Sequence, residues 1–345
     1  MGARRCDVSK HRTHKIIGLR STALSLLLFL FFILLNNQFG AYNQSQLANI
    51  ATLLIAVLSI TLLTGASGQI SLGQGAIMAV GGYSSALLVT RLGFSMWISI
   101  ILAIFISALF GLFLGLAAAR LSGPYLAGTT LVMALAIPSI AVRFETFFSG
   151  DVGLSVDYGM PPIWLTNIVG EISIEEWSLY VALPFTAAAL FAVLNLLNTR
   201  TGRTWRAVRD NEVAAALAGI NISRTKIFVF VVASALAGLA GALYGFRGLV
   251  APSVYPTDLS LTLLTAAVIG GLRSIGGAIF GTFAIVFLPD LIERVSANFT
   301  IPETIGNYLP GLTIGLLLLL TVITNPRGAA GALEDLRHHR HRKKH

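Results

Sequence analysis

Ile98–Ala119 reads ISIILAIFISALFGLFLGLAAA, a run with no charged side chain along its length. As a helix rising about 1.5 Å per residue it extends about 33 Å, enough to cross the roughly 30 Å hydrocarbon core of a bilayer. Comparable apolar runs lie near Ser21–Leu35, Leu47–Leu63 and Gly311–Ile323. One such run could be a signal sequence, and the basic N-terminus followed by Leu24–Leu35 does imitate one. No small-x-small cleavage site follows within Asn36–Gln46, and several runs cannot all be leaders. The rest of the composition agrees: of 345 residues, 55% are hydrophobic and 11% charged, with mean hydropathy +0.79, where a soluble domain carries about 25% charged residues.

The net charge of +9 would suit a nucleic-acid binder if it formed one patch, but it is distributed differently. Eighteen of the 24 basic residues fall in three places: Arg4–Arg20, Arg200–Lys226 and Arg327–Lys344. Lys and Arg held in loops that flank apolar spans are retained on the cytoplasmic side during insertion. Between Arg143 and Trp177 the pattern reverses, with Glu145, Asp151, Asp157, Glu171, Glu175 and Glu176 against Arg143 alone, so that segment is placed outside.

Six candidate spans (about 21–36, 47–64, 69–90, 97–119, 125–142 and 178–197) separate the basic N-terminus from the basic loop, an even number that returns the chain to its starting side. Four more follow: Ile227–Phe246, Leu259–Gly271, Gly276–Leu288 and Gly311–Ile323. The fold class expected is therefore all-α integral membrane, a polytopic bundle of about ten transmembrane helices (eight to ten). The segment Gly270–Gly277 is either a cytoplasmic turn or a re-entrant loop, the latter tolerated only when buried in protein or lining a wet cavity. The expected organisation is a basic cytoplasmic tail over 1–20, one transmembrane domain over 21–324 and a second basic cytoplasmic tail over 325–345. Within the domain, an external segment covers about 143–177 and a cytoplasmic loop about 198–226.

Several chemistries are excluded by residue placement. All six histidines lie in the two tails, and the single cysteine, Cys6, lies in the first, so no intramembrane metal centre or disulfide is expected. No Asp or Glu falls at the centre of an expected span, whereas ion-coupled carriers place carboxylates there. No lysine follows a glycine, so no P-loop exists, and any ATP-driven motor must be another polypeptide.

The basic loop reads TGRTWRAVRDNEVAAALAGI over Thr201–Ile220. Arg203, Arg206 and Arg209 recur every third residue, so a short helix carries them along one side, and Glu212–Ala218 are strong helix formers. Gly219 suits the position just past a helix end, and Asn221 or Ser223 suits the start of the next. The plain alternative is a loop whose arginines only obey the positive-inside rule.

This string resembles the cytoplasmic loop of permeases of the branched-chain amino acid ABC transporter family, the LivM-like branch of the LivH/LivM superfamily. The family's elements correspond to Gly202-Arg203, Arg209-Asp210-Asn211-Glu212, Ala214-Ala215 and Gly219-Ile220. Further stretches are similar to the family's pattern: Gly65–Gly75 with Gly81-Gly82-Tyr83, Arg120–Ala127 with Thr129–Leu131, Ala235–Tyr244, and Val268–Gly281. The resemblance covers about residues 47–325. It implies an ABC importer permease in the prokaryotic inner membrane, multi-pass, moving branched-chain or other hydrophobic amino acids. It implies as partners a second permease subunit, a paralogue by expectation, two ABC ATPase subunits and an extracytoplasmic solute-binding protein. No cofactor is expected in this chain, ATP and Mg being bound by the ATPases, and no catalytic residue. Arg203, Arg206, Arg209, Glu212 and Gly219 then belong at the ATPase-coupling interface.

Two other groups stand on physical grounds. Gly73, Gly81, Gly238 and Gly241 are helix-packing candidates, since small residues let helices approach closely in lipid. Gly68, Gln69, Ser71 and Gln74 put polar side chains beside flexible backbone, suiting either a translocation path through a broken helix or interhelical hydrogen bonding. The chain departs from the family where Ser149 and Asp151 interrupt the outer Gly-rich run, and where Arg273 replaces a glycine. Rival readings are a sugar or urea ABC importer permease, an ion-coupled carrier or channel acting alone, and an integral membrane enzyme.

Overall fold

The computed structural model describes residues 41–121, 123–156, 161–162, 166, 172–296, 309–324 and 328–331. The expected span at 21–36, the N-terminal tail, most of the C-terminal tail and, within the external segment, 157–160, 163–165 and 167–171 lie outside the described residues.

Helix α1 (Ala41–Ile60) continues into a π-helical turn over Thr61–Ala66 and is the most enclosed span, 89% buried. From Ile50 onward its residues are apolar on all sides apart from Thr52 and Ser59, the pattern of a core helix rather than of one facing lipid or water on one side. Around it come α2 (Gln74–Thr90), α3 (Met96–Ala118), α4 (Pro124–Arg143) and the short α5 (Glu145–Phe148). Strand β1 (Leu154–Ser155) precedes α6 (Ile174–Asn198), α7 (Arg200–Asp210), α8 (Glu212–Leu217) and α9 (Ile222–Gly245). Strand β2 (Leu249–Val250), α10 (Thr257–Gly270), α11 (Ile275–Ser296) and α12 (Leu309–Thr324) complete the described chain. Helices α6, α9, α10 and α11 all pack on α1, and α9 lies along both α2 and α3.

Six of these helices are long and apolar enough to cross a membrane; α10 and the core of α12 are shorter apolar helices. With α2 they make nine passes among the described residues, in the order the apolar runs predict. Their ends sort into two groups. At one end, Arg209 reaches Gly65, a Cβ on Gly65 would meet the Leu272 carbonyl, and Gly328 lies against Gly271. At the other, Tyr42 donates to Asp290, Arg91 to the Thr146 carbonyl and Arg247 to Ser45, while Leu154 pairs with Val250 in a two-residue antiparallel ladder. The Gly270–Ser274 connection is thus a turn on the same end as the basic loop, with Arg273 exposed, and not a loop re-entering the bundle.

Two boundaries differ from expectation. The span expected over 69–90 is helical only from Gln74, because α1 has to reverse over 67–73, where Gly68 takes φ +74°. Helix α11 extends past Leu288 to Ser296, so Asp290, expected at a span edge, lies within its outer turns and pairs with Arg294 at 3.2 Å.

Packing follows small residues. A Cβ on Gly81 would stand 2.2 Å from the Gly238 carbonyl oxygen, and one on Gly241 only 1.8 Å from that of Met78. Helices α2 and α9 therefore touch backbone to backbone, a separation at which dispersion is strong and where lipid supplies no hydrophobic drive. On α3, Gly111 and Gly115 are set against Ser234 and Ile227 in the same manner.

Candidate functional site

The basic loop is built as two short helices at an angle. Thr199 leads into α7, whose Gly202, Trp205 and Val208 are buried while its arginines point elsewhere. Trp205 is fully buried and packs on Phe228 with ring centroids 6.0 Å apart, which fixes the loop to the start of α9. Arg203 donates to the Asn198 carbonyl at 3.3 Å and Arg206 to that of Leu197 at 3.1 Å. Both cations thus cap the C-terminal carbonyls of α6, where the helix dipole favours positive charge.

Arg209 does not share that arrangement. Its side chain is mostly enclosed, Nη1 donates to the Gly65 carbonyl at 2.6 Å, and Nε donates to Asp210 at 2.9 Å. Gly68 leaves room for it: a Cβ there would lie 2.6 Å from the Arg209 Cγ. The three-residue spacing places the arginines along one side, but a buried carbonyl from α1 draws the third inward. Asn211 breaks the chain with φ −161° and caps α8 by accepting from the Ala214 amide at 3.0 Å. Glu212 pairs with Lys226 at 2.8 Å, and Lys226 is only 6% exposed. Helix α8 also buries Ala215, while Val213 at 71% and Leu217 at 86% are exposed one turn apart. Gly219, at φ +82° with no atom near its Cβ position, ends it, and Asn221 caps α9 through the Arg224 amide.

Among the polar residues after α1, Gly68 is exposed, whereas Gln69, Ser71 and Gln74 are buried. The break is held by hydrogen bonds from three directions. The Leu72 amide donates to Thr130 and the Gly75 amide to Ser260, each at 2.9 Å, and Ser59 donates to Gln74 at 3.3 Å. Gln69 Oε1 and Gln74 Nε2 are buried without protein partners. Interhelical bonding accounts for the backbone amides here and leaves the two side-chain amide atoms without a protein partner. Gly73 packs against the Thr130 carbonyl, and Gly81, Gly238 and Gly241 lie at the α2–α9 crossing.

At the opposite end a cavity of about 200 Å³ lies between α2 and α4, walled by Tyr83, Ser84, Leu87, Ile137, Ile140 and Phe148. Sequence reading did not find it, because an apolar stripe beside a cavity has the same spelling as one facing lipid. Among the described residues, no three His, Cys, Asp or Glu side chains gather as a metal site.

Comparison with known proteins matches residues 44–322 to the model of a family described as branched-chain amino acid transport system / permease component. The chain is 28% identical to the high-affinity branched-chain amino acid transport permease LivM of Salmonella typhimurium, over 80% of this chain and 67% of that protein. It is 29% identical to LivM of Escherichia coli strain K12, covering 81% and 69%. It is 30% identical to the autoinducer 2 import permease LsrC of Enterobacter sp., covering 66% and 64%.

Proposed function

The chain belongs to the branched-chain amino acid transport permease family, and from that premise we propose that it is a membrane-spanning subunit of an ABC importer that moves branched-chain or other hydrophobic amino acids. One observation carries the mechanism: a two-helix loop that stands clear of the bundle at Val213 and Leu217 is joined at Arg209 to the end of the most buried span. A partner that grips α8 can pull on α1 through that bond. Two exposed apolar side chains one turn apart on a small helix make an anchor of the kind that fills a partner's cleft.

In this reading the partner at α8 is an ATPase subunit that binds the ATP and Mg, of which this chain needs neither. A second permease completes the path, and an extracytoplasmic binding protein delivers solute to the end bearing β1 and β2. The basic end faces the cytoplasm together with both chain termini, the domain runs over 21–324, and the membrane is a prokaryotic inner membrane. Arg203 and Arg206 hold the loop to α6, while Gln69 Oε1 and Gln74 Nε2 are left without a protein partner beside the broken segment. The solute is uncharged or zwitterionic, since among the described residues no fixed charge stands deep in the spans to match a strong ion.

Similarity to the L-arabinose transport permease AraH of Escherichia coli strain K12, 28% identical over 54% of this chain and 50% of that protein, favours a second reading, a permease for a sugar. Reconstitution with the ATPases, second permease and binding protein separates them. ATP-dependent uptake of L-leucine is expected. Uptake of sugars alone, or uptake without ATPase, overturns the assignment.

A further inference from the structure

Helices α3 and α9 run antiparallel in close contact, with Ser107 against Gly238, Gly111 against Ser234, and Gly115 against Ile227 and Phe230. Each turn toward the basic end on α3 is matched by a turn back along α9. That register sets Arg120, five residues past Gly115, opposite the first turn of α9, which holds Arg224. Both arginines are exposed.

Each arginine ends an apolar face. On α3 the exposed Phe105, Leu109, Leu112 and Leu116 recur every three or four residues, and Arg120 is next in that series. On α9 the exposed Phe228 follows Arg224 by one turn. Exposed apolar side chains on a span as apolar as α3 face acyl chains, so the two guanidinia stand where these faces pass from hydrocarbon to headgroups.

The protein itself makes no use of either guanidinium. Among the described residues, Arg120 and Arg224 donate no side-chain hydrogen bond and form no ion pair. Arg203 and Arg206, past the end of α6, fold back on that helix's carbonyls; Arg120, just past the end of α3, does not. Arg224 sits in the first turn of α9, where the helix dipole disfavours a cation and favours an anion. Retention of the basic end during insertion requires positive charge in the loops, but not two unpaired cations on neighbouring lipid-facing surfaces.

We propose that the α3–α9 surface at the basic end is a binding site for one anionic phospholipid of the adjoining leaflet. Its phosphate is held between Arg120 and Arg224, whose planar forks match phosphate oxygens, and an acyl chain lies along Leu112, Leu116 and Phe228. A zwitterionic phospholipid brings its own cation to two unpaired cations, and soluble phosphate lacks the chains that the apolar faces take.

The test is contact quenching at the site. The full-length chain, Cys6→Ser with Leu116→Cys carrying a bimane, is reconstituted in phosphatidylcholine liposomes with increasing shares of phosphatidylglycerol brominated on its acyl chains. Quenching should saturate at a several-fold smaller share of brominated phosphatidylglycerol than of brominated phosphatidylcholine. Arg120→Gln and Arg224→Gln should each raise the half-quenching share by roughly fivefold, the worth of one basic residue at an anionic surface. Arg120→Lys and Arg224→Lys keep the charge and should keep most of the affinity. Arg273→Gln removes an exposed cation at the same end and should leave the share unchanged. Equal quenching by the two lipids, or wild-type values in both Gln variants, overturns the site. An equal shift in Arg273→Gln also overturns it, since the attraction is then diffuse, and so does reversal by inorganic phosphate at matched ionic strength, which gives the pair to a free anion. Loss of the ATPase from the purified complex in Arg120→Gln and Arg224→Gln, with quenching unaltered, assigns the pair to that protein and overturns the lipid site as well. The readout requires no transport, so its result stands whichever solute the permease moves.

Discussion

Arg209 donates to the carbonyl oxygen of Gly65 at 2.6 Å across 144 residues of sequence, joining the last turn of α7 to the last π-helical turn of the central span. A π turn leaves carbonyls displaced from the regular ladder and recurs at functional sites. The guanidinium, held from its other edge by Asp210, is a directed donor to one of them.

Arg209→Ala should therefore uncouple hydrolysis from movement. A hydrogen bond from a charged donor is worth about 1.5–3 kcal/mol, so solute moved per ATP hydrolysed should fall roughly tenfold or more. Arg209→Lys should recover only part, because an ammonium cannot span both Asp210 and the Gly65 carbonyl as a planar fork does. The measurement is the uptake-to-hydrolysis ratio in proteoliposomes. An unchanged ratio in Arg209→Ala removes the mechanical link.

Val213 and Leu217 stand 71% and 86% exposed on α8 while the rest of the loop is tied down by Trp205 and by the Lys226–Glu212 pair. Val213→Asp and Leu217→Asp should each weaken ATPase association by about 2 kcal/mol, the scale of an interface hot spot. Co-purification of the ATPase with the permease, at constant permease insertion, reads the effect. Retention of the ATPase at wild-type stoichiometry would place the docking surface elsewhere.

Much of this architecture was legible in the spelling of the chain, for identifiable reasons. Uncharged runs such as Ile98–Ala119 have one stable form in lipid, so the nine described passes follow the order of the apolar runs. Gly219 and Asn221 mark a stop and a start that only their side chains, or lack of one, permit. The stretch Gly68–Gln74 was legible as a candidate helix break, but the start of the next span was placed at 69 rather than Gln74, because Gln69 and Ser71 are spaced closely enough to be read as polar points within a span. Arg209 was grouped with Arg203 and Arg206 by periodicity, whereas its orientation depends on a carbonyl far away in sequence. Trp205 and Val208, three apart among the arginines, were an available signal that one side of α7 is buried. The α2–α4 cavity left no mark, since Ile137 and Ile140 would be apolar in either setting.

Gly241→Val places a Cβ 1.8 Å from where the Met78 carbonyl oxygen now lies, with backbone rather than a flexible side chain as the obstacle. Overpacking of this kind costs about 1–3 kcal/mol or more, so the melting temperature in detergent should drop by several degrees. Gly311→Val, with no atom near its Cβ position, is the matched control and should leave it unchanged. Equal melting temperatures for the two variants would show that α2 and α9 are not in backbone contact.

Lys226 is 6% exposed and meets Glu212 at 2.8 Å, with the Glu212 side chain half exposed. Glu212→Gln leaves a nearly buried ammonium without its anion, which is more costly than losing both charges. Glu212→Gln should therefore reduce the thermal stability of the loop, and adding Lys226→Met should recover most of the loss. Additive rather than compensating effects would mean that the two charges act independently.

The end assignments can be read directly by labelling. In a Cys6→Ser background, Leu217→Cys, Arg273→Cys and Val152→Cys each place a thiol at an exposed position. Leu217 and Arg273 belong to the end where Arg209 meets Gly65 and where a Cβ on Gly65 would strike the Leu272 carbonyl. Val152, 82% exposed, precedes the strand at Leu154 that pairs with Val250 at the opposite end. A membrane-impermeant maleimide added to intact cells should modify Val152→Cys alone, and all three after permeabilisation. Modification of Arg273→Cys from outside would put α10 and α11 in the wrong sense and require that the Gly270–Ser274 turn leave the end occupied by Arg209.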